Sequence, residues 1–174
     1  MIDTILENFL TRQQELGMAL AESSDILDLQ PLDGPPARHY RARFRCRGMV
    51  RTRDGKVAVA NHFEVGIRFL ADYLRRANTF EVLTWISPRE IFHPNIHDRA
   101  PYLCLGKLRA GTPLVDILYG IFEIVSYHKM TVSEEDALNH DACAWARRNQ
   151  HLFPVDRRPL KRRTARPHSA PSER

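Results

Sequence analysis

A cysteine and an asparagine that lie close together in the sequence are the residues whose types and spacing point most directly to chemistry. Cys104 follows the tripeptide His93-Pro94-Asn95, and Pro94 and Pro101 interrupt any helical reading of this stretch. A cysteine thiol can carry an acyl group, and an amide N–H can stabilise the oxyanion that forms during transfer of that group. The pattern therefore predicts an acyl-transfer site on an irregular segment of the chain.

The same stretch admits a second chemistry, because His93, His97 and Cys104 are residue types that bind zinc. The His-x-x-x-His spacing suits two ligands on one helical face, but Pro94 breaks the helix that such a face needs. No glutamate follows His93 where metalloproteases place their general base. A zinc hydrolase is therefore an alternative only, and the sequence predicts neither a metal site nor a cofactor.

The elements that must position these residues begin with an amphipathic helix over 4–21, where Thr4 and Glu7 match a capping box. Its expected buried face consists of Ile5, Phe9, Leu16 and Leu20, backed by Leu6 and Leu10. A loop rich in proline follows over 30–38.

Alternation of apolar and polar residues next predicts a meander of antiparallel strands. The predicted strands cover 40–46, 57–59, 63–69 and 80–86, with an Asp-Gly turn over 53–56 before the second of them. In the last strand the expected inward face is Phe80, Val82, Thr84 and Ile86.

After Cys104 the apolar period becomes helical. Thr112 is suited to cap a helix, Pro113 suits its first position, and Asp116 favours the positive end of its dipole. One apolar stripe follows, formed by Leu114, Ile117, Leu118, Ile121, Ile124 and Val125.

Ser133 and Asp136 resemble the cap of a last helix that contains Leu138 and Trp145 and ends before Pro154. The order is thus a helix, strands, an irregular stretch with the cysteine, and two helices. This order predicts an α+β domain in which helices pack on an antiparallel sheet.

Length and composition fit one soluble globular domain of 174 residues, of which 43% are hydrophobic and 27% are charged. No apolar run approaches the roughly 20 residues that span a membrane, and the acidic N-terminus is not that of a signal peptide. Three cysteines form an odd and sparse set, which argues against a disulfide framework. We therefore expect a reducing, cytoplasmic location.

The net charge of +5 is concentrated in residues 156–174, which carry seven Lys and Arg against two acids. This stretch has three prolines and no Phe, Tyr or Trp. The sequence therefore predicts a folded domain over 1–155 and a disordered basic tail over 156–174. Because the tail lacks aromatic rings on which bases can stack, we do not expect nucleic-acid binding.

The motifs and the element order together resemble the ubiquitin-conjugating enzymes. That family has a His-Pro-Asn tripeptide, an active-site cysteine in an Ile/Leu-Cys-Leu context, a helix, and then an acid in an Asp-Pro-Leu-Asn-like segment. The corresponding pieces are His93-Pro94-Asn95, Leu103-Cys104-Leu105 and Asp136-Ala137-Leu138-Asn139. The resemblance implies the UBC-like fold from about residue 4 to residue 149.

Several family features are absent from this sequence. The gap from His93 to Cys104 is one residue longer than usual, the loop after the cysteine has no Trp, and only Tyr73 remains of a Tyr-Pro-x-x-Pro-Pro motif. These departures resemble divergent bacterial members encoded beside a ubiquitin-like protein, an activating enzyme and a peptidase. Such operons are associated with antiviral defence.

The resemblance implies that Cys104 accepts a ubiquitin-like protein from an activating enzyme as a thioester and passes it to an amine of a protein substrate. It further implies that Asn95 stabilises the oxyanion, that Asp136 orients or deprotonates the lysine, and that His93 and Pro94 support the turn. The residues alone also allow a core thiol, a structural turn asparagine and a plain helix cap. A non-catalytic module of the same fold that binds a ubiquitin-like protein is therefore the second hypothesis.

Overall fold

The computed structural model describes residues 3–162, in which an N-terminal helix, antiparallel strands and C-terminal helices follow one another. The elements are α1 (Thr4–Glu22), β1 (Leu27–Pro31), β2 (His39–Phe44), β3 (Gly48–Arg51), β4 (Val57–Ala60), β5 (Phe63–Arg68), α2 (Thr79–Val82), β6 (Leu83–Ser87), α3 (Leu114–Val125), α4 (His140–Arg148) and a 3₁₀ turn (Gln150–Leu152). The predicted α+β class is confirmed. No helix within residues 3–162 is long and apolar enough to cross a membrane.

The central sheet has four antiparallel strands in the order β1-β2-β5-β6. The predicted alternation in β2 is confirmed, because Tyr40, Ala42 and Phe44 are fully buried. Strand β1 was predicted as a loop from Gln30 onward, yet Pro31 pairs with Tyr40 at the end of the strand. Proline is tolerated there because β1 is an edge strand with no further partner in the sheet.

A β3–β4 hairpin interrupts the meander between β2 and β5 and forms a separate two-stranded sheet. Its turn contains Gly55 with φ of +82°, a backbone conformation that favours glycine. On its other side β3 bonds the segment before His93, since Arg51 N–H donates to Glu90 O at 2.7 Å and Phe92 N–H donates to Met49 O at 3.0 Å. The hairpin thus holds the approach to the candidate site.

Helix α1 confirms the predicted bounds to within one residue and the burial of Leu6, Leu10 and Leu20, but not the predicted cap or the inward placement of Ile5 and Leu16. Asp3, not Thr4, is the N-cap, and its Oδ1 accepts from the N–H groups of Ile5 and Leu6. Ile5 is 75% exposed, whereas the buried positions are Leu6, Leu10, Gln13, Gly17 and Leu20. The face turns this way because the missing side chain of Gly17 admits Leu114 of α3, which a Cβ would meet at 2.7 Å.

The strand predicted over 80–86 is wrong in its first part and in its face. Asn78 Oδ1 accepts from Phe80 N–H at 3.0 Å and starts the short helix α2, so β6 begins only at Leu83. Leu83 and Trp85 are buried, whereas Ile86 is 39% exposed. A shift of one residue along a strand exchanges its two faces, which explains the reversal.

The apolar stripe of α3 is confirmed, with all six predicted positions buried. The predicted cap of the last helix is wrong, because α4 begins at His140 and Asn139 Oδ1 accepts from Ala142 N–H at 2.9 Å. Ser133, Asp136 and Leu138 all precede this helix.

The prediction of a disordered tail from Asp156 is wrong over residues 156–162. Asp156 is 3% exposed, and Arg158 donates to both of its carboxylate oxygens, at 3.0 and 2.7 Å. Leu160 is 1% exposed, and Arg162 donates to Glu22 O at 2.8 Å at the end of α1. Packing against the domain outweighs the local excess of charge, whereas residues 163–174 lie outside the described part of the chain.

Candidate functional site

The site is built around the turn His93-Pro94-Asn95, which follows the segment paired with β3. His93 Nδ1 accepts from Asn95 N–H at 3.0 Å, and Ile96 N–H donates to His93 O at 3.1 Å. These two bonds close the turn. Ile96 then pairs with Leu103 in an antiparallel bridge that brings the chain back beside the turn.

His93 is fully buried and packs edge-to-face on Tyr127, with ring centroids 4.3 Å apart. Burial lowers the pKa of His93 to about 3, because the protonated ring would lose its water. Since Nδ1 accepts a hydrogen bond, Nε2 carries the proton of the neutral ring. A neutral, enclosed imidazole is suited to holding the turn rather than to proton transfer with a substrate.

Asn95 forms hydrogen bonds with both backbone groups of Cys104, its N–H and its C=O. Asn95 O accepts from Cys104 N–H at 2.9 Å, and Asn95 Nδ2 donates to Cys104 O at 3.1 Å. The second N–H of that amide donates to Thr131 Oγ1 at 2.9 Å, and Asn95 Oδ1 accepts from Thr131 N–H at 2.7 Å. Both amide protons are therefore engaged within the protein, which is the arrangement of a structural asparagine.

Cys104 directly follows the Ile96–Leu103 bridge and is partly exposed. Gly106 N–H donates to Cys104 Sγ at 3.3 Å, and the φ of +88° at Gly106 allows the chain to curl back on the sulfur. The other two cysteines, Cys46 and Cys143, are buried.

Asp136 lies in an exposed turn that precedes α4. It makes no hydrogen bond or ion pair with any group in residues 3–162 and is not joined directly to Cys104. Its loop nevertheless adjoins the turn, because Leu138 and Asn139 donate their N–H groups to Pro94 O at 2.8 and 3.2 Å. The structure thus brings Cys104, Asn95, His93 and Pro94 together and leaves Asp136 on a neighbouring loop.

Two residues that fix this site were missed from the sequence. Thr131 meets Asn95 across 36 residues, and Tyr127 covers His93 and donates to Phe92 O. Neither belongs to a recognisable motif. Local spacing gave no signal for them, because both contacts arise where the chain after α3 returns to the turn.

A shallow groove of about 390 Å³ runs between the segment after Cys104 and α3. Gly120 makes room for Leu105, which a Cβ on Gly120 would meet at 3.3 Å. The rim carries Lys107, Arg109 and Lys129 as well as Asp116 and Glu123. The lining of the groove includes Leu105, the residue directly after Cys104, but not Cys104 itself.

A metal site is not assembled here. Within residues 3–162 no three His, Cys, Asp or Glu side chains lie close enough to share a metal ion. Of the proposed ligands, His93 is enclosed, and His97 Nδ1 accepts from the N–H groups of Arg99 and Ala100 at 3.0 and 3.1 Å. The geometry therefore gives no support to the zinc alternative.

Three solved structures that share this fold are described as ubiquitin-conjugating enzymes, whereas no family model and no curated protein matches the sequence. A Plasmodium yoelii protein assigned as such an enzyme aligns with TM-score 0.54 and 17% identity over 83% of this chain and 86% of its own. The E2 domain of a Toxoplasma gondii ubiquitin-conjugating enzyme aligns with a TM-score of 0.50 and 18% identity, over 84% of this chain and 86% of its own. The ubiquitin-conjugating enzyme Pex4p of H. polymorpha, solved with the soluble domain of Pex22p, aligns with a TM-score of 0.56 and 14% identity, over 85% of this chain and 95% of its own.

These likenesses define the class of fold. The chain has the UBC-like α+β fold of ubiquitin-conjugating enzymes, as its sequence predicted. At 14–18% identity these likenesses establish the architecture alone.

Proposed function

We propose that this chain is a ubiquitin-conjugating-like enzyme that carries a ubiquitin-like protein as a thioester on Cys104. The observation that carries the proposal is the setting of the sulfur. Cys104 is partly exposed beside a donating N–H, while Asn95 fixes both its N–H and its C=O. A thiol held this way at the surface of a UBC-like fold is suited to acyl exchange.

Two transfers make up the reaction. The Cys104 thiolate attacks the thioester carbonyl on an activating enzyme; a new C–S bond forms, the old one breaks, and the activating enzyme's thiolate leaves. An amine of a protein substrate then attacks, a C–N bond forms, and Cys104 leaves as thiolate. The amine's proton passes to a base, for which Asp136 on the adjoining loop is the candidate. No cofactor takes part in these steps on Cys104.

The role proposed for Asn95 requires a change in its hydrogen bonds. Both Nδ2 protons are engaged, by Cys104 O and Thr131 Oγ1, so one must be released to meet a forming oxyanion. Without that release Asn95 acts only as a structural support. The groove beside Lys107 and Tyr119 supports the carrier role independently, because it can hold an extended tail and its lining includes Leu105, the residue next to Cys104.

The runner-up is a non-catalytic module of this fold that binds a ubiquitin-like protein. The saturated hydrogen bonds of Asn95 and the unengaged Asp136 favour it, whereas the accessible Cys104 does not. A bacterial conjugation operon and a part in antiviral defence belong to the main proposal through the resemblance, and a cytoplasmic location belongs to it through the odd and sparse set of cysteines. The genes beside this one test the first two: an activating enzyme and a ubiquitin-like protein are expected there.

The decisive experiment mixes the chain with ATP, its activating enzyme and its ubiquitin-like protein. We expect an adduct that thiols cleave, its loss in Cys104→Ala, and a reductant-resistant ester in Cys104→Ser. The matched controls are Cys46→Ala and Cys143→Ala, which should still form the adduct. A labile adduct that persisted in Cys104→Ala would refute the assignment, and its absence from the unaltered chain would favour the non-catalytic module.

The role of Asn95 is tested by separating charging from discharge. We expect Asn95→Ala to charge normally and to discharge to lysine about 10²-fold more slowly, as for loss of one oxyanion donor. Thr131→Val is the control, because it removes the Oγ1 acceptor but leaves the amide of Asn95 in place. Equal discharge rates in Asn95→Ala and the unaltered chain would remove the oxyanion role.

A further inference from the structure

A second groove lies between the β3–β4 hairpin and α4 and does not include Cys104. Its volume is about 660 Å³. The residues that decide its chemistry are Arg51, Lys56, Phe92, Trp145, Arg148 and Leu152. The groove exists because the hairpin inserted between β2 and β5 stands next to the last helix.

The floor of this groove is aromatic. Phe92 is 4% exposed and meets the edge of Trp145, with ring centroids 5.9 Å apart. Trp145 is half-buried, and its indole N–H has no acceptor among residues 3–162. Leu152 on the wall is 52% exposed. This combination offers an apolar side chain a site to bury and offers an accepting group a free donor.

The rim of the groove is positive. Arg51 lies 5.5 Å from the Phe92 ring centroid and pairs with Asp141 at 3.1 Å, and Lys56 pairs with Asp54 at 2.9 Å. Arg148 forms no ion pair within the described residues and donates to Ala144 O on its own helix. Both ion pairs are exposed, and such pairs contribute little to stability. An incoming carboxylate can therefore compete for these cations.

We propose that this groove docks an acidic segment of a partner protein, in which an apolar side chain is flanked by carboxylates. The apolar side chain would lie on Trp145 and Leu152, and the carboxylates would face Arg51, Lys56 and Arg148. Charge complementarity selects this occupant, and the cations explain its specificity better than its affinity.

Two other occupants fit the groove less well. The chain's own residues 163–174 contain three arginines and one glutamate, so they carry the same sign as the rim. Asp141, which is 77% exposed on the wall, repels phosphates and carboxylates alike, but the bases of a nucleic acid would also find the Phe92 face covered by the Arg51 guanidinium. The acidic peptide does not need that face, because its apolar side chain lies on Trp145 and Leu152.

The test uses the full chain and a set of fluorescein-labelled eleven-residue peptides. Each acidic peptide has one central Phe, Leu or Trp flanked on both sides by Asp and Glu. A neutral set replaces the acids by Asn and Gln, and a basic set replaces them by Lys. A labelled oligo(dT) serves as the nucleic-acid probe. Fluorescence anisotropy measures binding. We expect an acidic peptide to saturate with Kd below about 1 mM, and the neutral and basic sets to bind at least tenfold more weakly.

Charge-reversal variants then locate the site. Arg148→Glu and Lys56→Glu should each weaken the acidic peptide about tenfold or more. Arg147→Glu is the matched control on the same helix, since Arg147 lies outside the groove and pairs with Glu134, and it should change Kd less than twofold. Circular dichroism checks the fold of each variant. Arg148→Gln replaces any variant that does not fold, and it should weaken binding of the acidic peptide two- to fivefold.

Four outcomes would overturn the proposal. They are failure of every acidic peptide to saturate, equal binding by the neutral set, tighter binding by oligo(dT), and equal loss in Arg147→Glu and Arg148→Glu. None of them depends on Cys104 chemistry, so they are distinguishable from a failure of the thioester proposal.

Discussion

At the scale of single residues, the site depends on two polar side chains that are removed from solvent. The side-chain amide of Asn95 donates to Cys104 O while its backbone O accepts from Cys104 N–H, and His93 closes the turn that presents Asn95. Leaving a buried polar group without its hydrogen-bond partner lowers the free energy of unfolding by about 1–3 kcal/mol, so both residues matter to stability whatever their catalytic role.

His93 makes stability depend on pH. Its folded-state pKa of about 3 lies below the ordinary value of 6.5, so protons bind more readily to the unfolded chain. The contribution is complete above pH 6.5 and is lost as pH falls from there toward 3. We expect the free energy of unfolding to fall by about 2 kcal/mol between pH 7 and pH 5 because of this group alone.

Urea unfolding at pH 7, 6 and 5 measures this effect. His93→Gln keeps a side-chain acceptor but does not ionise, so its stability should change about 2 kcal/mol less over the same interval. His62→Gln, an exposed control, should follow the unaltered chain. Parallel curves for His93→Gln and the unaltered chain would contradict the assignment of a buried neutral imidazole.

At the scale of elements, the β3–β4 hairpin links the sheet, α3 and the segment before the site. Its first residue, Gly48, lies against the end of α3, where an added Cβ would stand 2.4 Å from Val125 O and 2.6 Å from Phe63 Cζ. One of these neighbours is backbone and cannot move aside by changing rotamer. The close approach of the hairpin to α3 therefore depends on a residue without a side chain.

Gly48→Ala should accordingly lower the free energy of unfolding by about 1–3 kcal/mol through overpacking. Gly34→Ala is the matched control, because nothing lies within 4 Å of its Cβ position, and it should leave stability unchanged or slightly higher. Thermal and urea unfolding measure both variants. Equal stability of the two would show that the hairpin can shift away from α3 at little cost.

At the scale of the whole molecule, residues 156–162 join distant parts of the chain. Asp156 accepts from Arg47 N–H across 109 residues, and Arg158 donates to Arg45 O at 2.8 Å. The side-chain hydrogen bonds from Arg158 lower the pKa of Asp156 to about 2 from its ordinary 3.8. The segment thus fastens the end of the domain to the end of β2.

Asp156→Asn should lower the free energy of unfolding at pH 7 by about 2 kcal/mol, the equivalent of that pKa difference. Because the folded pKa is the lower one, the stabilisation is present above pH 4 and is lost as pH falls toward 2. Urea unfolding of both proteins across this range should therefore show the gap closing. Asp25→Asn is the control, since Asp25 is 66% exposed at 3.6 Å from Arg162, and an equal loss there would point to a general charge effect.

The sequence by itself determined the features that local periodicity and spacing report. The stripe of α3, the alternation of β2, the α+β order and the short distance from Asn95 to Cys104 are all set by residues near one another. Each reflects which side of one element faces the core, and that preference needs no knowledge of distant segments.

Only the tertiary structure decided the contacts between segments far apart in sequence. It pairs Thr131 with Asn95 and places Asp136 before the start of α4. It also buries Leu83 and brings the Asp156 carboxylate to the backbone N–H of Arg47. Such contacts satisfy buried polar groups that any of several segments could satisfy, so local spacing does not identify the partner. Packing of the chain against itself makes that choice, and with it the surroundings of Cys104.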